Sequence, residues 1–114
     1  MEKKNIILEK TVEFSLLVIK YVELLEREKK FVIARQLLKA ATSIGANIHE
    51  AQNAESPADF LHKLKIAAKE MEETKYWLIL CEKSDSYPDC SDLSQRITEI
   101  EKILSKIIAT CKSR

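Results

Sequence analysis

The sequence predicts an all-α protein built as an antiparallel up-down four-helix bundle. Three observations carry this. The chain holds one Gly and two Pro among 114 residues, too few for the tight turns that β-hairpins need. Ala, Leu, Glu, Lys and Ile dominate, and all but Ile are strong helix formers. Apolar residues return at three- and four-residue steps in four long segments separated by weak polar breaks, and long helices on short connections pack antiparallel. The length fits a single domain, residues 1–114.

The first helix is expected from about Ile6 to Arg27. Phe14, Leu17, Val18, Tyr21, Leu24 and Leu25 form its seam, and Val12, Leu16 and Ile19 form a second stripe beside it. The charge cluster Glu26 to Lys30 closes it. The second helix is expected from about Phe31 to Ala54, on a heptad-like seam of Ala34, Leu37, Ala41, Ile44, Ile48 and Ala51. Small residues such as Ala40, Gly45 and Ala46 allow a neighbouring helix to approach closely.

The third helix has the clearest start. Ser56 is placed to cap, Pro57 suits the first helical position, and Asp59 suits the first turn. Its seam runs Phe60, Leu64, Ala67, Met71, Thr74, Leu78 and Cys81 to an end near Lys83, about 40 Å of helix at 1.5 Å per residue. The segment Ser84 to Asp89 is a polar turn. Ser91 or Asp89 then caps the fourth helix, which carries Leu93, Ile97, Ile100, Leu104, Ile107 and Cys111. Lys112 and Arg114 suit the negative end of its dipole.

Val12, Leu16 and Ile19, with Ile66, Trp77 and Leu80, lie off the main seams. Either the first helix has two neighbours, or an apolar face is left for a second copy of the chain.

Composition excludes several classes. With 19 basic and 18 acidic residues the formal charge is +1, without the overall positive excess of many nucleic-acid binders. The 3 cysteines, Cys81, Cys90 and Cys111, have neither an even count nor CxxC spacing, against a disulfide framework or structural zinc. The start, Met1 to Lys4, is charged and has no apolar signal core. No apolar run is long enough to span a bilayer, and the expected location is cytoplasmic.

Two groups of polar residues stand beside the seams. Ser43, Asn47 and Glu50 share a flank of the second helix, and Glu70 and Glu73 share a flank of the third with Lys63. One reading is a carboxylate or metal centre around Glu50, Glu70 and Glu73, which would make the bundle an enzyme. The other, favoured here, is a polar network that fixes helix register or subunit contacts. Bundle di-iron sites use two Glu-x-x-His motifs. This chain offers only Asp59-Phe60-Leu61-His62, so no cofactor or metal is expected. Arg35 and Lys39, one turn apart, and Lys65 and Lys69, one turn apart, are the candidate phosphate contacts.

The stretch from Gln36 to Leu80 carries a resemblance. Its parts are Gln36-Leu37-Leu38, Ser43-Ile44-Gly45-Ala46-Asn47-Ile48-x-Glu50-Ala51, Ser56-x-x-Asp59-Phe60-x-x-Lys63-Leu64-x-Ile66-Ala67 and Lys69-Glu70-x-x-Glu73-Thr74-x-Tyr76-Trp77-Leu78. The chain resembles the four-helix-bundle proteins encoded within intervening sequences of bacterial 23S ribosomal RNA genes. The resemblance implies a homopentamer in a bacterium. A related group, the accessory proteins of diversity-generating retroelements, forms similar pentamers with a strongly basic surface that bind reverse transcriptase and nucleic acid. This sequence departs from that group in its near-neutral charge.

The polar members of the resemblance are Ser43, Asn47, Glu50, Glu70, Glu73, Thr74 and Tyr76, read as the network that sets packing and subunit contacts. The expected function is a non-enzymatic, oligomeric scaffold or binding module, with structured RNA or an RNA-handling protein as partner. A purely structural assembly is the other non-enzymatic reading.

Overall fold

The computed structural model describes residues 2–113, and side-chain surroundings from residue 6 onward. Met1 and Arg114 lie outside the described residues. Four α-helices follow in chain order: α1 Glu2–Arg27, α2 Phe31–Ala51, α3 Pro57–Lys83 and α4 Ser91–Lys112. Each packs on its sequence neighbours, α1 and α4 close the ring, and α1–α3 and α2–α4 are diagonal. This is the up-down bundle that short connections dictate.

Each helix boundary has a local cause. At the end of α1, the Lys30 N–H donates to Leu25 O at 2.9 Å and the Lys29 N–H to Glu26 O at 2.9 Å. Lys29 sits between them at φ 63°. This is a Schellman closure, with Lys in the left-handed position that Gly usually takes. At α3, Ser56 is extended and its Oγ accepts from the Asp59 N–H at 3.1 Å. Asp59 Oδ2 accepts in turn from the Glu55 N–H at 3.1 Å.

Three boundaries differ from the sequence expectation. α1 begins at Glu2 rather than at about Ile6. α2 stops at Ala51 rather than Ala54, as residues 52–54 turn with i→i−3 hydrogen bonds. The N-cap of α4 is Cys90, with no side-chain cap bond, because Ser91 Oγ donates to Asp89 Oδ2 at 2.8 Å instead. Burial decides this position. Cys90 fills the core edge, and its Sγ reaches Leu78 O at 3.5 Å.

One core runs the length of the bundle. Phe14, Val18 and Leu25 of α1 meet Leu37, Ile44 and Ile48 of α2, Leu64, Met71 and Leu78 of α3, and Ile97, Ile100 and Leu104 of α4. These are the seams read from the sequence, except that Leu24, expected on the α1 seam, is 40% exposed. Two polar side chains are buried within it, and both are satisfied on their own helices. Thr11 Oγ1 donates to Leu8 O at 3.0 Å, and Thr74 Oγ1 to Glu70 O at 2.8 Å.

Gly45 sets how closely α1 and α2 approach. A Cβ there would lie 3.1 Å from Thr11 Cβ and 3.2 Å from Thr11 Oγ1. Thr11 is held by its bond to Leu8 O, so a larger side chain must push the helices apart. Gly45→Leu is expected to lower the urea-unfolding free energy by about 1–3 kcal/mol. Gly45→Ala should cost less, because Ala gains roughly 1 kcal/mol of helix propensity over Gly.

Candidate functional site

The α2–α3 flank holds the polar residues singled out by sequence. α2 presents Ser43, Asn47 and Glu50, and α3 presents Glu70, Glu73, Thr74 and Tyr76. Their hydrogen bonds are mostly local. Ser43 Oγ donates to Lys39 O at 2.7 Å, and Asn47 Nδ2 donates to Ser43 O at 2.8 Å, both within α2. The Trp77 indole N–H donates to Glu73 Oε2 at 3.1 Å within α3. Tyr76 meets the Trp77 ring edge-on at 5.3 Å.

A single one of these contacts crosses between helices. Lys63 Nζ donates to Glu50 Oε1 at 3.0 Å. That bond to Glu50 raises the Lys63 ammonium above its ordinary value, but the pair is solvated and adds little to stability. The seven residues are therefore not joined into a continuous network: Thr74 is buried in the core, while Tyr76 is exposed.

Interhelical ion pairs are instead concentrated at α4. Lys75 of α3 bonds Glu101 at 3.0 Å, and that bond raises its ammonium. On the other side, Arg96 meets Glu13 of α1 at 3.2 Å, and Lys10 meets Glu99 at 3.8 Å. Steps of three and four in charge along α4 were the signal for these pairs.

A compact buried cluster lies at the α3–α4 corner. Tyr21 of α1 donates its hydroxyl to Pro88 O at 2.7 Å. Cys81 and Cys90 are buried around it. Burial holds both thiols above their ordinary value and pushes the phenol well above its own, helped by the neighbouring thiols. Thiols held protonated are poor nucleophiles, so the cluster suits a packed corner rather than covalent chemistry.

The four candidate phosphate contacts, Arg35 and Lys39 on α2 and Lys65 and Lys69 on α3, are all exposed. None has an ion-pair partner among the described residues. Among those residues no group of three or more His, Cys, Asp or Glu is placed to hold a metal ion. No helix among them is long and apolar enough to cross a membrane.

The off-seam apolar residues divide in two. Ile66, Trp77 and Leu80 are half-buried. Val12, Leu16 and Ile19 stay exposed even though α1 has both α2 and α4 as neighbours. Leu8, Val12, Leu16 and His49 line a shallow groove of about 530 Å³ beside this stripe. Sequence reading did not set Ile79 apart, yet it is exposed near Tyr76 on α3; the three-residue step between them was the available signal.

None of the curated proteins matches the chain. A solved structure does: a protein of unknown function from the S23 ribosomal protein family of Bacteroides thetaiotaomicron. It is 40% identical, with a TM-score of 0.86 over 90% of this chain and 98% of that one. The sequence model of the 23S rRNA-intervening sequence protein family matches residues 3–106, and the chain belongs to that family.

Proposed function

We propose that this protein is a non-enzymatic homo-oligomer, a homopentamer, that serves in the bacterial cytoplasm as a binding module for structured RNA. The observation that carries the assembly is the Val12, Leu16 and Ile19 stripe, which its own bundle leaves in water. Contiguous exposed apolar surface on a small soluble domain marks an interaction face. The non-enzymatic reading is supported by the carboxylates themselves. Glu50 and Glu73 are exposed and tied to Lys63 and Trp77, whereas the carboxylates of catalytic sites are typically desolvated. The RNA reading is supported by Arg35, Lys39, Lys65 and Lys69, whose charges have no acidic partner among the described residues, and by the repetition of that patch in each copy of an oligomer.

Light scattering should give five times the 13.1 kDa chain mass. Fluorescence anisotropy with an RNA hairpin should show binding that weakens steeply with salt. Replacing Arg35, Lys39 or Lys65 by Ala should each lower the salt slope by about 1. A pentamer that ignores RNA at low salt would sink the RNA reading and leave an RNA-handling protein or a structural role.

A further inference from the structure

The assembly proposed above needs two surfaces that fit each other, and the bundle carries two stripes of matching design. On α1, Glu9, Val12, Leu16, Ile19 and Glu23 follow one another at steps of three and four, so they share one helix face. All five are exposed. The apolar middle is therefore framed by an acid at each end.

On α3, Lys69, Glu72, Tyr76, Ile79 and Lys83 follow at the same steps, and all five are exposed. Here the apolar part is framed by a base at each end. Glu72 is drawn aside into a pair with Lys75 at 3.5 Å. The terminal charges are about 21 Å apart on both helices at 1.5 Å per residue. Glu9, Glu23, Lys69 and Lys83 have no ion-pair partner among the described residues.

We infer that the α1 stripe of one protomer docks on the α3 stripe of the next, with Leu16 against Tyr76 and the two acids against the two lysines. The inference rests on the assembly reading and assigns its faces. Leu16 and Tyr76 are the midpoints of their stripes, so centring one on the other brings both charge pairs together, whichever way the helices run. Leu16 is 57% exposed and Tyr76 55%, so both have surface to lose. Tyr76 is braced against Trp77, and a shallow groove lined by Leu8, Val12, Leu16 and His49, with Glu9 and Glu13 among its walls, lies beside Leu16. A braced aromatic facing apolar side chains with charged groups at the edge is the usual anatomy of a protein interface.

The geometry also sets the class of assembly. α1 and α3 are diagonal in the bundle, so each protomer offers its two stripes on different sides. Two different patches pair head to tail, which generates a ring when the rotation closes. In this arrangement Lys69 belongs to the subunit boundary, and the RNA-facing set reduces to Arg35, Lys39 and Lys65.

The test is a charge swap read by light scattering on the full chain, with circular dichroism to check that each variant keeps its helices. E9K/E23K and K69E/K83E should each weaken association by about tenfold or more, through like-charge contact. The variant carrying all four changes should assemble again. Leu16→Asp and Tyr76→Asp should each give folded monomers. An oligomeric wild type whose variants all assemble normally would overturn the face assignment and keep the assembly reading. Failure of the four-fold swap to restore assembly would overturn the α1–α3 pairing in the same way. A monomeric wild type would overturn both.

Discussion

Phe14→Ala is expected to remove about 3–5 kcal/mol of unfolding free energy, the range for deleting a buried aromatic ring. Phe14 is 1% exposed and lies among the apolar side chains that the four helices contribute to one core. Its loss forfeits the transfer free energy of the ring and leaves a cavity that rigid helices fill only partly. Domains of this size hold about 5–15 kcal/mol in all, so the variant sits close to its unfolding threshold. Two residues along the same helix, Leu16 is 57% exposed. Leu16→Ala should leave the unfolding free energy of the isolated protomer within about 0.5 kcal/mol of wild type. Urea titrations of the two variants, run at low protein concentration so that assembly adds nothing by mass action, separate the core face from the outer face. Equal losses would mean that α1 is buried all round.

Alkaline pH is expected to destabilise the fold through the Tyr21 corner. Cys81 and Cys90 are held above the ordinary thiol value of 9.0 by burial, and Tyr21 above the ordinary phenol value of 10.0, mainly by burial. The folded chain therefore keeps protons that the unfolded chain releases. The unfolded state binds fewer protons there, so stability falls as pH rises. The stability is present in full below the ordinary thiol value and is lost above it, by up to about 1.4 kcal/mol per pH unit for each group. The unfolding free energy from urea titrations should be lower at about pH 10.5 than at about pH 7.5. The Lys75–Glu101 bridge should change little in that window, because hydrogen bonding to Glu101 raises the ammonium above its ordinary 10.5. A Cys81→Ala, Cys90→Ala double variant should flatten the profile. A wild-type profile level to pH 10.5 would show that the corner admits water.

The fold was legible because its information is local. Apolar steps of three and four marked the four seams, and Ser56-Pro57 marked the start of α3 to the residue. Lys29 hid the closure of α1, since a left-handed C′ position is normally announced by Gly and here is not. Cys90 hid the cap of α4, because burial against Leu78 outweighed the capping preference of its polar neighbours. The wiring of the polar flanks was not legible. Periodicity put Ser43, Asn47 and Glu50 on one flank of α2 and Glu70 and Glu73 on one flank of α3, but it is silent on whether a side chain reaches across or turns back to its own carbonyl at i−4. Asn47 turns back and Glu50 reaches across. Exposure was the other unreadable quantity. Val12 and Ile66 share the same off-seam pattern, yet the first faces water and the second is half-buried, because that depends on where the neighbouring helix lies.

The cyclic order of helix contacts also bears on how the chain reaches its fold. Three of the four pairings, α1 with α2, α2 with α3 and α3 with α4, join consecutive helices across short turns. Their loop-closure entropy is small, and such local topologies fold on microsecond to millisecond timescales. The fourth pairing, α1 with α4, closes a loop of nearly the whole chain. It gains most from waiting until the three helical hairpins have formed. The ion pairs of Arg96 with Glu13 and Lys10 with Glu99 thus sit on the seam with the largest loop-closure cost.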